Sequence, residues 1–239
     1  MNRRILVAAA LALLATAAAS ALRHAPATDA ARAGATIDPS TFVRTISNPW
    51  LPYRPGSVWV YRGIKDGRTQ RDVVTVTHRT KLLMGVRCEA LTDVATHGNT
   101  VLERTTDWYA QDSEGNVWYF GERTADYADG HVDHSGSWRA GIHGAQPGIV
   151  MTEHPAVGDT HRQEYWPGQA EDQYWLVDLG QRASVPYGEF GHAALTLEWS
   201  RLEPNVIDRK QYVRGIGVVR EMAAQGPPET ASLVSFRRP

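Results

Sequence analysis

The sequence predicts an all-β fold: an antiparallel meander of about eleven strands, forming a curved sheet or open β-barrel. Three observations lead there. β-Branched and aromatic residues alternate with polar ones at a period of two through most of the chain. Turn residues separate these stretches by a few positions, and helix signals are scarce after the N-terminal segment. The run Asp107–Glu122, DWYAQDSEGNVWYFGE, reads as a β-hairpin whose aromatic-rich arms flank a polar turn holding Gly115 and Asn116.

The first 21 residues read as a signal peptide. Arg3 and Arg4 form a basic start, Ile5 to Ala18 is an uncharged Ala/Leu/Val run, and Ala19-Ser20-Ala21 offers an A-x-A cleavage site. The uncharged span Ile5 to Leu22 is 18 residues and rich in alanine. It is short for the ~20 apolar residues of a membrane helix, and an uncleaved anchor is the alternative. Residues 22–37 are Ala-rich, lack apolar periodicity and read as a flexible leader. Residues 38–239 read as a single β-rich domain, long enough to bury a core without staples. The expected location is secreted or periplasmic, with no stable membrane insertion after cleavage.

Within the domain, Asp38-Pro39 carries the N-cap and N1 signals of one short helical turn. Ser57–Ile64 alternates Val58 and Val60 against Trp59 and Tyr61, Asp66-Gly67 turns the chain, and Asp72–His78 continues as a β-branched strand. Val86–Val94, Thr100–Gln111 and Val117–Glu122 follow as strands. Residues 123–156 are expected to be long loops. Thr160–Trp166, Glu171–Asp178, Phe190–Ser200, Arg209–Gly215, Val218–Met222 and Ser232–Phe236 complete the meander.

Composition excludes several classes. With 25 basic and 26 acidic residues well mixed, the net charge is −1, and no Lys/Arg cluster offers a nucleic-acid or anionic-membrane footprint. Cys88 is the only cysteine, so no intramolecular disulfide forms. Its alternating surroundings read as a strand with a buried, inert thiol.

The hairpin motif D-W-[FY]-A-Q-D-x-x-G-N-V-W-Y-F-G-E, together with GSWRAGIHGAQPGIVM (136–151), VGDTHRQEYWPGQAED (157–172), VPYGEF (185–190) and KQYVRGIGVV (210–219), resembles a group of secreted bacterial proteins of unknown function. The resemblance spans most of the mature chain. It implies export and a β-rich fold, and no activity. The segment PGSVWVY (55–61) is more distantly similar to envelope proteins with half-open β-barrels, an analogy of fold alone.

Candidate binding residues come from aromatics and carboxylates. Adjacent strand residues face opposite sides, so Trp108/Tyr109 and Trp118/Tyr119 cannot all be core. One of each pair needs either a ligand surface or a cover, and the segment carrying Trp138 is the candidate cover. Glu122 closes the hairpin. Glu164, Glu171 and Asp172 flank the Pro167-Gly168 turn, where Glu164 and Glu171 could be cross-strand neighbours with one raised pKa. Such a pair beside tryptophans suits glycoside hydrolysis, while solvated strand-end carboxylates are the plainer reading. His131, Asp133 and His134 resemble a fragment of a metal site but sit in a polar segment with turn chemistry. The turn Asp112–Asn116 lacks calcium-loop spacing. No nucleophile elbow is present. The ligand-binding expectation is therefore Trp108, Tyr109, Trp118, Tyr119, Glu122, Trp138, Glu164, Glu171 and Asp172, with no catalytic residue, metal or cofactor assigned. The function expected is a non-enzymatic binding module for an apolar or glycan-like ligand or an envelope partner. The alternatives are a carboxylate-based hydrolase and a structural envelope protein.

Overall fold

The computed structural model describes residues 37–128 and 130–239. The signal peptide, and all of the leader except Ile37, lie outside the described residues. A 3-10 turn, Pro39–Thr41, is capped by Asp38, whose carboxylate accepts from the Ser40 amide. The described residues then hold sixteen strands. The first half comprises β1 (Phe42–Val43), β2 (Val58–Lys65), β3 (Arg68–Leu83), β4 (Val86–His97), β5 (Thr100–Asp112), β6 (Val117–Ala128), β7 (His131–Asp133) and β8 (Trp138–Arg139). The second comprises β9 (Gln146–Met151), β10 (Thr160–Arg162), β11 (Glu164–Tyr165), β12 (Asp172–Val185), β13 (Gly188–Ser200), β14 (Ile207–Val213), β15 (Gly217–Gln225) and β16 (Thr230–Arg237).

The all-β antiparallel class expected from the alternation is the class found, as a nearly closed barrel. One path runs β10-β12-β13-β14-β15-β16-β2-β3-β4-β5-β6-β9-β11. Its two ends, β10 and β11, are separated in the chain by Gln163 alone. The segment 160–165 therefore pairs on one side with β12, Arg162 opposite Gln173, and on the other with β9, Glu164 opposite Pro147. That double pairing closes the sheet. Gly148 makes the seam possible: a Cβ there would collide with the backbone of Arg162 and Gln163.

Two features differ from expectation. Sixteen strands replace about eleven: β1, β7 and β8 are only two or three residues long and too short to show a period, β9 lies in the expected loop, and the expected strand Thr160–Trp166 is divided into β10 and β11. The segment 123–156 is not simply loop. It continues β6 to Ala128 and holds β7, β8 and β9. Residues 123–128, RTADYA, hide their strand character because Thr124 and Asp126 are buried on a polar face. A bulge at Gly121 (φ +125°) shifts the register there. Ahead of it Val117 and Tyr119 are the buried alternate residues; beyond it Glu122, Thr124 and Asp126 are.

The segment 44–57 plugs one end of the barrel. Ile46, Asn48, Trp50 and Leu51 are buried. Asn48 Nδ2 donates to the carbonyls of Gly115 (2.8 Å) and Thr152 (3.1 Å), and its Oδ1 accepts from the amides of Trp50 (2.8 Å) and Leu51 (3.1 Å). Gln111 Oε1 accepts from the Ser47 and Asn48 amides, and the Gly215 amide donates to Pro49 O. The plug thus ties the β5–β6 turn to the β14–β15 turn across the barrel mouth. A second apolar layer lies on the outer face of β4–β6. There Cys88, Ala90, Trp108, Ala110 and Phe120 are buried against a cluster that includes Phe42, Ala140 and Ala145. Burial pushes the Cys88 thiol up to about 12, so it stays protonated and unreactive.

Candidate functional site

The barrel interior has an aromatic half against the plug and an acidic half beyond it. In the first, rings make a continuous chain: Phe236 stacks on Trp59 (4.9 Å), Trp59 meets Tyr53 of the plug (5.7 Å), and Tyr53 meets Tyr109 (5.1 Å). Tyr109 stacks on Tyr119 (4.7 Å), and Tyr119 meets Trp138 edge-on (5.5 Å). The polar tips are bonded. Trp59 Nε1 donates to Ile216 O, Tyr61 OH to Val218 O, and Tyr119 OH to Asp107 Oδ1 (2.8 Å). Between the halves lies a cavity of about 30 Å³ lined by Tyr53, Trp59, Tyr61, Tyr109, Asp93 and Asp107, among others. That is room for one or two waters, far below the ~300 Å³ of a typical ligand site.

The acidic half follows from period-two placement of charge. On β5, Glu103, Thr105 and Asp107 share a face with Tyr109, and Asp72 of β3 is buried with them. Thr105 Oγ1 bonds both Glu103 and Thr124. Lys210 and Glu198 form a buried ion pair at 2.6 Å. Glu198 Oε1 accepts from Tyr212 OH and Thr196 Oγ1, and Oε2 also accepts from Gln163 Nε2 of the seam. Burial works against the Lys210 charge, but Glu198 and Glu221 outweigh it and hold its pKa above the ordinary value. The carboxyls go the other way. Burial raises Asp72 to about 6, opposed by the Gln70 hydrogen bond, and Asp107 to about 7, opposed by Tyr119. Burial likewise raises Glu221 to about 8 despite Lys210. Asp93 is pushed well up by burial and then by the charges of Asp72, Asp107, Glu103 and Glu221, and its buried Oδ1 has no hydrogen-bond partner. Burial thus favours the protonated form of these carboxyls. Among the described residues, no cluster of three or more His, Cys, Asp or Glu is arranged to hold a metal ion.

A second, larger space lies on the outer side of the plug. A cleft of about 410 Å³ is lined by Pro49, Pro52, Arg54, Phe236, Arg238 and Pro239, with Ser47, Ser57 and Gly215 completing it. Its position is set by the turn Arg54-Pro55-Gly56-Ser57. The Ser57 amide donates to Arg54 O (3.0 Å), and Gly56 takes φ +94°, with Pro55 ahead of it as a type II turn favours.

Two solved structures are similar to this chain. One is a candidate exported protein with a YmcC-like fold from Bacteroides fragilis: 12% identity, TM-score 0.42, covering 77% of this chain and 97% of that one. The other is a candidate lipoprotein from Parabacteroides distasonis: 12% identity, TM-score 0.44, covering 82% of this chain and 100% of that one. No protein-family model and no curated protein matches the chain.

The sequence-predicted residues divide between the two faces of the sheet. Tyr109, Tyr119, Glu122, Glu164 and Asp172 are on the interior side, and Trp138, register partner of Glu122, fills space beside Tyr119. Burial, then Asp107, Glu122, Tyr109 and Glu164, raise the Tyr119 pKa, which places these groups together. Trp108 and Trp118 are on the outer face. Lys81 Nζ lies 4.6 Å from the Trp108 ring, and Trp118 Nε1 donates to Asp112 Oδ2 (2.8 Å). Glu171 is set apart: it accepts from the Gly168 amide and faces Arg201 at 3.9 Å. The β10–β12 register sets Gln163 beside Asp172, whose carbonyl accepts from the Gln163 amide (2.8 Å). Asp133 bonds Ser135 within the turn, and His134 Nδ1 bonds Thr124 O of β6. Sequence reasoning missed Asp72, Asp93, Lys210 and the whole cleft. The signal for the acidic half was Glu103 and Asp107 recurring at period two with Tyr109, while Asp72, Asp93 and Lys210 lie on other strands.

Proposed function

We propose that the chain is an exported, non-enzymatic binding domain whose ligand seat is the cleft over the plug. Export rests on the N-terminal sequence, with its basic start, apolar run and small-residue cleavage site. The observation that carries the binding reading is the cleft's size and lining. About 410 Å³ lies within the range of small-molecule sites, and prolines and Phe236 give it an apolar floor with a few polar groups at its rim. The interior carboxylates suit a structural, proton-holding role better than hydrolysis. Asp93 and Asp107 line only about 30 Å³ of free space, and Glu171 is held by the Gly168 amide and Arg201. The ligand this reading favours is a small molecule with an apolar body.

Amide chemical-shift mapping tests the seat. A panel of small aromatic and alicyclic compounds is expected to give saturable shifts at Ser57, Gly215 and Phe236. Saturable shifts confined to Thr105, Tyr109 and Tyr119 would move the site inside the barrel, and none anywhere would end the binding reading.

A further inference from the structure

We infer that the cleft selects ligands carrying an anionic group, a carboxylate or a phosphate, held by Arg54 and Arg238, with Arg214 next in the chain to the lining residue Gly215. The inference rests on the binding reading above and adds the ligand's charge. The lining holds two arginines and no Asp or Glu side chain. This stands out in a chain of net charge −1, whose basic and acidic residues are nearly equal in number. Arg54 and Arg214 have no ion-pair partner among the described residues, and both are exposed. Two of the three guanidiniums lie near aromatic rings: Arg214 sits 5.2 Å from the Trp50 ring centre and Arg238 5.8 Å from that of Phe236. Such contacts restrain the planar group and leave its N–H edges for an acceptor. Arg238 spends one donor on Gly215 O (3.2 Å), which ties it to the β14–β15 turn.

Arg54 is positioned by its backbone. Its amide donates to Pro52 O (2.8 Å), its carbonyl accepts from Ser57, and Pro52 and Pro55 stiffen the approach on both sides. Little backbone order remains to be lost on binding, which favours affinity from few contacts. The remaining surface, Phe236 with Pro49, Pro52 and Pro239, gives an apolar body a place beside the anion. An arginine fork matches carboxylate and phosphate geometry alike, so both carriers belong to one recognition chemistry.

The test uses the mature chain with four probes: benzoate, phenyl phosphate, neutral benzamide and cationic benzylamine, titrated by calorimetry at low salt. Benzoate and phenyl phosphate are expected to bind at least roughly tenfold tighter than benzamide, with benzylamine weaker still. Arg54→Gln and Arg238→Gln are each expected to cost roughly five- to tenfold for the anions and leave benzamide unchanged. The exposed Arg68→Gln, at the start of β3, serves as the control. Thermal melts of each variant verify folding. Benzamide binding as tightly as benzoate, or anion binding untouched by both substitutions, overturns the charge assignment while leaving the cleft as a seat. Absence of binding by all four probes overturns both readings. Cosedimentation with phosphatidylglycerol but not phosphatidylcholine vesicles, abolished by Arg54→Gln/Arg238→Gln, would put the anion on a lipid headgroup. Free-anion binding without cosedimentation would put it on a soluble molecule. Cosedimentation that survives the double substitution counts against the inference.

Discussion

Asp107→Asn isolates the energetics of the interior. The carboxyl is buried at 6% exposure, accepts from Tyr119 OH at 2.8 Å and has its pKa raised by burial from 3.8 to about 7. A folded pKa above the unfolded one means the native state binds the extra proton. The resulting stability is fully present below about pH 4 and is lost as pH rises through 7. Between pH 5 and pH 8.5 the loss from this one group is roughly 3 kcal/mol, since each pKa unit is worth about 1.4. Asparagine keeps an acceptor for Tyr119 and cannot ionise. The variant is therefore expected to lose less stability over that interval than the parent, by roughly 3 kcal/mol or about 6–12 °C in Tm for a domain of this size. Asp72, Glu221 and Asp93 shift in the same direction, so the variant retains part of the slope. Urea titrations of both proteins at the two pH values give the comparison. Equal losses in parent and variant would refute the idea that Asp107 holds a proton in the folded barrel.

Two further outcomes are expected. Lys210→Met strands the buried Glu198 carboxylate and should cost about 3–5 kcal/mol, while Lys210→Met/Glu198→Gln, which keeps acceptors for Tyr212 and Thr196, should recover more than half; equal instability by chemical denaturation in single and double variants would contradict this. Asn48→Ala removes four hydrogen bonds that hold the plug and should cost roughly 2–4 kcal/mol, with hydrogen exchange at the Trp50 and Leu51 amides at least roughly tenfold faster; unchanged exchange there would show that Asn48 does not hold the plug.

Alternation made the long strands readable, because a side chain's neighbours across a ladder impose the same period on both partners. Trp59 and Tyr61 against Val58 and Val60 is one instance, and their side is the buried one. The same rule misled where the interior is polar. Asp72, Asp93 and Glu103 look like a wet face, yet they point into a barrel half stocked with carboxyls, hydroxyls and a lysine. Closure was not readable either, since Thr160–Tyr165 shows one short strand and nothing local says that its two edges find different partners. The plug escaped for a related reason: Ile46–Tyr53 has no period, and Asn48 and Gln111 hold it across 63 residues of sequence. Of the candidate residues, alternation says that Trp108 and Tyr109, and likewise Trp118 and Tyr119, face opposite sides; that the two tyrosines share the interior is set by the Tyr109–Tyr119 register. Gly168 and Arg201 turn Glu171 away through loop contacts that spacing does not encode. The cleft joins 47–57 to 215 and 236–239, three segments that only the tertiary fold brings together.

The central claim, that the seat over the plug holds a ligand, is tested most directly by native mass spectrometry of the chain recovered from its own cells. The account predicts a bound small molecule on the parent protein and none on Ser47→Trp, which fills the cleft from an exposed position on the plug. A bound mass retained by Ser47→Trp, or none on the parent, would contradict it.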